Sequence, residues 1–156
     1  MAFAPAWPRL AAARFSPAAA RMAAKDSRPK ATPLLLAHLT KRADFLAAAR
    51  DIRRVAGAIT LELTPTPELA RRDGQARVGF TASRKIGNAV VRNRAKRRLR
   101  AAVRATLPLS GRAGHDYVLV ARASILTRDF QALLGDLEAA MTAAHSKLDA
   151  RTGGGN

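Results

Sequence analysis

The 156 residues contain no cysteine, which excludes disulfide staples, a thiolate nucleophile and every cysteine-ligated zinc or iron–sulfur centre. Acids are scarce, with 11 Asp plus Glu against 28 Lys plus Arg, a formal net charge of +17. Aromatics make up only 4% of the chain, so any core must be mostly aliphatic. No apolar run approaches the ~20 residues of a membrane helix, so no membrane partner is expected. What is present is a 48% hydrophobic composition, enough to build the core of one domain. A cysteine-free, strongly cationic chain of this size points to a polyanionic partner.

The charge is unevenly placed. Residues 1–33 carry six basic groups and one acid, and residues 34–76 carry seven and five. Residues 77–104 carry ten basic groups and no acid, whereas residues 105–156 carry five of each. Ten like charges in one stretch repel one another unless a partner neutralises them.

Five of the eight prolines (Pro5, Pro8, Pro17, Pro29, Pro33) fall in residues 1–33, among Ala and Arg. That density prevents regular structure, so this stretch reads as a disordered basic N-terminal arm. A transit peptide, or a true start at Met22, is the alternative. Its loss is expected to cost only non-specific affinity for the polyanion. Residues 34–150 form the expected domain, and residues 151–156 a flexible glycine-rich tail.

Within the domain, Thr40 is placed to N-cap a helix over Lys41–Arg50, with Phe45, Leu46 and Ala49 as its apolar stripe. Ile59, Leu61 and Leu63 alternate with polar residues as in a half-buried strand. Pro65 and Pro67 end it, and Arg71–Gly74 reads as a turn. A second strand places Ala76, Val78, Phe80 and Ala82 on one face and Arg77, Gly79, Thr81 and Ser83 on the other. Asn88 then caps a helix running to about Thr106. Its Val91, Ala95, Leu99, Ala102 and Val103 share one stripe, with seven basic residues off it. A loop over Pro108–Gly114 follows, then an interior strand over Tyr117–Ala121. Thr127 is placed to cap a last helix, in which Phe130, Leu133, Leu134, Leu137, Met141 and Ala144 face the core.

No catalytic or metal-binding set is visible. His38, His115 and His145 lack ligand spacing and read as surface or capping residues; the carboxylates are scattered. The chain alone is therefore expected to be non-catalytic. The basic helix instead offers fork-shaped guanidinium donors to successive phosphates. Asn93, between Arg92 and Arg94, adds a paired donor and acceptor. Phe45 is either a base platform or a core residue.

The run Arg77-Val-Gly-Phe-Thr-Ala-Ser-Arg-Lys-Ile-Gly-Asn-Ala-Val-Val-Arg-Asn-Arg-Ala-Lys-Arg-Arg-Leu-Arg100 resembles the signature of the bacterial ribonuclease P protein component. Leu39–Phe45 resembles that family's first helix, and Asp116–Arg122 its later strand. The resemblance spans about residues 38–147. It implies an α+β fold, a small mixed or antiparallel sheet with helices packed on it and an unusual left-handed crossover. It also implies a protein subunit of an RNA-catalysed endoribonuclease that removes the 5′ leader of precursor tRNA. The resemblance further implies Mg²⁺ held by the RNA and none by the protein. The implied partners are the catalytic RNA, with one protein expected per RNA subunit, and precursor tRNA, in the cytoplasm.

By the same resemblance, Arg92, Asn93, Arg94, Lys96, Arg97 and Arg100 contact the catalytic RNA. Phe45, Arg77, Thr81, Ser83 and Lys85 contact the leader. Ala49, Leu61 and Leu63 stand where the family has further aromatics, which shifts leader binding from stacking towards electrostatics. The competing readings are a general RNA-binding or ribosome-associated protein without a processing role, and a DNA-compacting protein indifferent to RNA structure.

Overall fold

The computed structural model describes residues 33–154; the expectations for residues 1–32 and for the last two residues lie outside them. Strand β1 (Leu35–His38) leads into helix α1 (Arg42–Arg50). A hairpin follows, β2 (Ile52–Ala56) and β3 (Ile59–Pro65), and then β4 (Gln75–Ala82). Helix α2 (Ala89–Ser110), β5 (His115–Ala121) and helix α3 (Phe130–Gly153) complete the order. Short 3₁₀ turns cover Glu68–Ala70, Arg84–Ile86 and Ala123–Leu126.

The five strands form one mixed sheet in the order β1-β4-β5-β3-β2. β5 lies at the centre, parallel to β4 and antiparallel to β3, and β1 pairs parallel to β4 at the edge. Parallel neighbours need a long connection, and α2 supplies it between β4 and β5. The architecture is α+β, as the resemblance implies.

One sheet face packs under α2 and α3. There Ile59, Leu61, Leu63, Ala76, Val78 and Leu119 meet Leu99, Val103, Leu133 and Leu137, all essentially inaccessible to solvent. The other face is covered only in part, by α1, through a small cluster of Leu39, Ala48 and Val118 with Phe45 and Val120 against it. This second layer explains why β3 is buried on both faces rather than half-buried: Thr60 and Glu62 lie beneath it. Burial raises the pKa of Glu62, against a smaller lowering by Arg53.

Several local expectations are corrected. Lys41, not Thr40, occupies the N-cap of α1, without a side-chain bond. Ala48 is the buried residue of α1, Phe45 is half-buried, and Leu46 and Ala49 are exposed. Asn88 does cap α2, its Oδ1 accepting from Val91 N–H at 3.0 Å. That helix continues to Ser110 with Pro108 in its last turn, where the missing N–H costs a single helical hydrogen bond near the helix end. Asp129 rather than Thr127 caps α3, accepting from the amides of Gln131 and Ala132. Phe130 is exposed, and α3 continues to Gly153, so the tail expected from residue 151 is helical to that point. His145 is half-buried rather than a free surface residue, with its Nε2 2.8 Å from the Tyr117 hydroxyl.

Candidate nucleic-acid interface

Arg53, Arg77, Arg112, Arg128 and Arg151 each have a carboxylate partner. None of the nine cations from Arg84 to Arg104 has one among the described residues. Beyond Arg77, the acid-free run of the sequence thus keeps its cations without acid partners among the described residues.

Arg77 is a correction to the expected leader-binding set. Its Nε donates to Asp116 at 2.8 Å and its Nη1 to Asp44 at 3.0 Å, and Nη2 also pairs with Asp116. Asp116 in addition accepts from the Thr66 hydroxyl at 2.7 Å. The Asp116 bonds raise the Arg77 pKa against the cost of burial. Sequence spacing hid this because Asp44 and Asp116 are 72 positions apart and meet only through the sheet. Arg77 therefore clamps α1 to β4 and β5 and presents no uncommitted charge.

Phe45 and Thr81 do come together. With Arg42, Leu46 and Lys96 they line an open cleft of about 510 Å³ between α1, the end of β4 and α2. Gly79 makes that arrangement possible: a Cβ there would stand 2.5 Å from the Phe45 ring. Ser83 and Lys85 are exposed in the turn after β4 and do not line the cleft. Lys96, expected on the catalytic-RNA side, instead faces this cleft. Arg42 and Leu46 were missed, although α1 periodicity places them within one turn of Phe45.

On the outer side of α2, Asn93, Arg94 and Arg97 surround a recess of about 290 Å³ with the exposed Val90. Arg92 is half-buried, and its Nε has no hydrogen-bond partner among the described residues. Arg100 lies over the Phe80 ring, 5.7 Å from its centroid, on the β1 side. Arg98 is structural: it donates to the carbonyls of Leu126 at 3.1 Å and of Arg128. Its off-stripe position in the sequence did not reveal that role.

A family model described as ribonuclease P matches residues 36–145. A ribonuclease P protein component of Ruegeria pomeroyi is 50% identical over 113 residues, covering 69% of this chain and 86% of its own length. The chain belongs to the ribonuclease P protein family. A Caulobacter vibrioides member is 46% identical over 111 residues, covering 71% of this chain and 72% of its own. Among solved structures, the ribonuclease P protein of Staphylococcus aureus superposes with a TM-score of 0.55 at 22% identity. That match covers 69% of this chain and 94% of the other. The Thermotoga maritima ribonuclease P protein gives 0.55 at 22%, covering 67% and 94%. At that identity these structures speak for the ribonuclease P protein fold, which matches the architecture above. No helix among the described residues is long and apolar enough to cross a membrane.

Proposed function

We propose that this chain is the protein subunit of ribonuclease P, acting in tRNA 5′ maturation by docking on the catalytic RNA and holding the precursor's 5′ leader. The carrying observation is the set of α2 cations without carboxylate partners among the described residues, clustered on one helix, where five arginines elsewhere in the domain are paired with acids. Desolvating and pairing guanidinium groups is what a phosphate backbone does. Asn93, Arg94 and Arg97 are assigned to the catalytic RNA, with Arg92 and Arg100 flanking them. The cleft of Phe45, Thr81 and Lys96, together with the exposed Ser83 and Lys85 that follow β4, is assigned to the single-stranded leader.

The chemistry belongs to the RNA subunit, which would also hold the Mg²⁺. This chain neutralises phosphates and positions a strand. The assembly is assigned one protein per RNA, in the cytoplasm. Reconstitution tests the reading: the protein is added to bacterial ribonuclease P RNA and precursor tRNA at low Mg²⁺. Cleavage at the mature 5′ end should be stimulated, while the protein without RNA leaves the precursor intact. RNA binding with no effect on cleavage would replace this reading with the general RNA-binding one.

A further inference from the structure

A second recess shares the Phe80 side chain with the cleft of Phe45 and Thr81 and lies between edge strand β1 and α2. It is about 230 Å³ and is the more enclosed of the two. Its floor is apolar, from Leu36, Val78 and Val103, and its wall is the Phe80 ring. The imidazole of His38 stands 6.0 Å from that ring, tilted by 55°. Arg100 and Arg104 close the remaining side. Neither guanidinium has a carboxylate partner among the described residues, and no carboxylate lines the recess.

We propose that this recess receives one unpaired nucleobase of RNA, with Arg104 and Arg100 on the adjoining phosphate or the acceptor edge of the base. This rests on the RNA-binding reading above and names a nucleotide-sized subsite within it. Three features select this occupant. Unpaired bases are recognised by stacking on aromatic rings and guanidinium planes, and His38, Phe80 and Arg100 supply both. The volume lies below the ~300 Å³ at which pockets for free small molecules begin, which suits one residue of a longer chain. The unpaired positive charge at the mouth rejects cations and attracts phosphate. The β1 backbone holds His38 in place, since Leu39 N–H donates to the Val78 carbonyl at 2.9 Å and His38 registers opposite Val78.

The test uses the full chain and an octauridylate carrying one central 2-aminopurine, whose fluorescence is quenched by stacking. Binding to the wild-type protein should quench the probe. His38→Ala should abolish the quench and weaken binding by about 5- to 150-fold, the range expected for one stacked base. His38→Phe, which keeps the ring and discards any charge, should restore both. Arg104→Ala should flatten the dependence of log affinity on log salt by about one unit. His38 is exposed on an edge strand, so an unchanged thermal unfolding curve separates binding from folding.

Two further titrations identify the source of the base. His38→Ala is measured against the catalytic RNA, and in the assembled holoenzyme against precursor and mature tRNA. A loss confined to the catalytic RNA assigns the nucleotide to that subunit, and a loss confined to the precursor assigns it to the leader; either supports the pocket. A quench that survives His38→Ala, or a failure of His38→Phe to rescue, overturns the stacked base and leaves the proposed function standing. A wild-type chain that does not bind catalytic RNA at all overturns both.

Discussion

The sheet face beneath α2 and α3 is an aliphatic layer that includes Ile52, Ile59, Leu61, Leu63 and Leu119. The face beneath α1 has a small apolar cluster beside the Arg77, Asp44, Asp116 and Thr66 network, and an open cleft at its margin. Non-directional burial gives the first face most of its stabilisation, roughly in proportion to area. Directional bonds on the second hold α1 at a set height and leave room beside it. The contrast separates what keeps the domain folded from what shapes its binding surface.

The largest expected effect sets the two faces of the central strand against each other. Leu119→Ala removes a fully buried side chain from the aliphatic face and should cost about 3–4 kcal/mol in urea unfolding. Val118→Ala, one residue away on the α1 face, should cost about half as much. Equal losses would erase the distinction between the faces.

The next largest effect targets the polar network. Asp116 has 1% of its side-chain surface exposed, and Arg77 has 14%. Asp116→Ala strands a largely buried guanidinium on Asp44 alone and should cost about 3 kcal/mol. Adding Arg77→Met should recover part of that, so the double mutant is less destabilised than the sum of the singles. Strict additivity in a double-mutant cycle would show that the pair does not clamp α1.

A third effect appears as pH dependence on the aliphatic side. The Tyr117 hydroxyl accepts from Arg112 N–H at 2.8 Å and shares a hydrogen bond of 2.8 Å with His145 Nε2. Burial raises the Tyr117 pKa to about 12, and burial lowers that of His145 to about 4 from an ordinary 6.5. The unfolded chain thus takes up a proton more readily than the folded one between those two values. Stability should be fully present above pH 6.5 and decline as pH falls towards 4, by about 2 kcal/mol once the ring's partial exposure is allowed for. His145→Gln should flatten that decline in melts recorded from pH 7 to pH 4.

The smallest effects are on binding. Phe45→Ala should weaken the holoenzyme's hold on precursor tRNA by about 1–2 kcal/mol and leave mature tRNA nearly unaffected. Arg94→Ala with Arg97→Ala should lower the salt slope for catalytic-RNA binding by about two units. Lys96→Ala sits between the two surfaces and should reduce both affinities. Paired titrations at 50 and 200 mM salt resolve the three variants.

Much of this was readable from residue order where one periodicity dominates. Strand β4 and helix α2 follow their alternation and their 3.6-residue stripe, and Asn88 caps as its type and place suggest. β1 was not foreseen, because four residues beside a proline carry too little pattern and gain their partner only from β4. β2 was missed because its Arg53-Arg54 pair lacks a clear alternation. Of the site, the basic helix was legible as a whole, yet the direction of each side chain was not. Lys96 turns to the cleft, Arg98 to the carbonyls before α3, and Arg100 to Phe80. Arg77 was misjudged because charge alone cannot show that acids remote in sequence converge on it.

The strand order has a consequence for synthesis. β5, the last strand to be translated, is the one that joins β4 to β3 at the centre of the sheet. Until residues 115–121 leave the ribosome, only the local β2–β3 hairpin and the β1–β4 pair can form, and two-stranded pieces are marginal in water. The sheet closes late, through contacts distant along the chain, which are slow to make. The cationic helix α2 therefore emerges before the scaffold that orients it, in a compartment crowded with RNA. Docking of α2 against a complete sheet thus waits for β5.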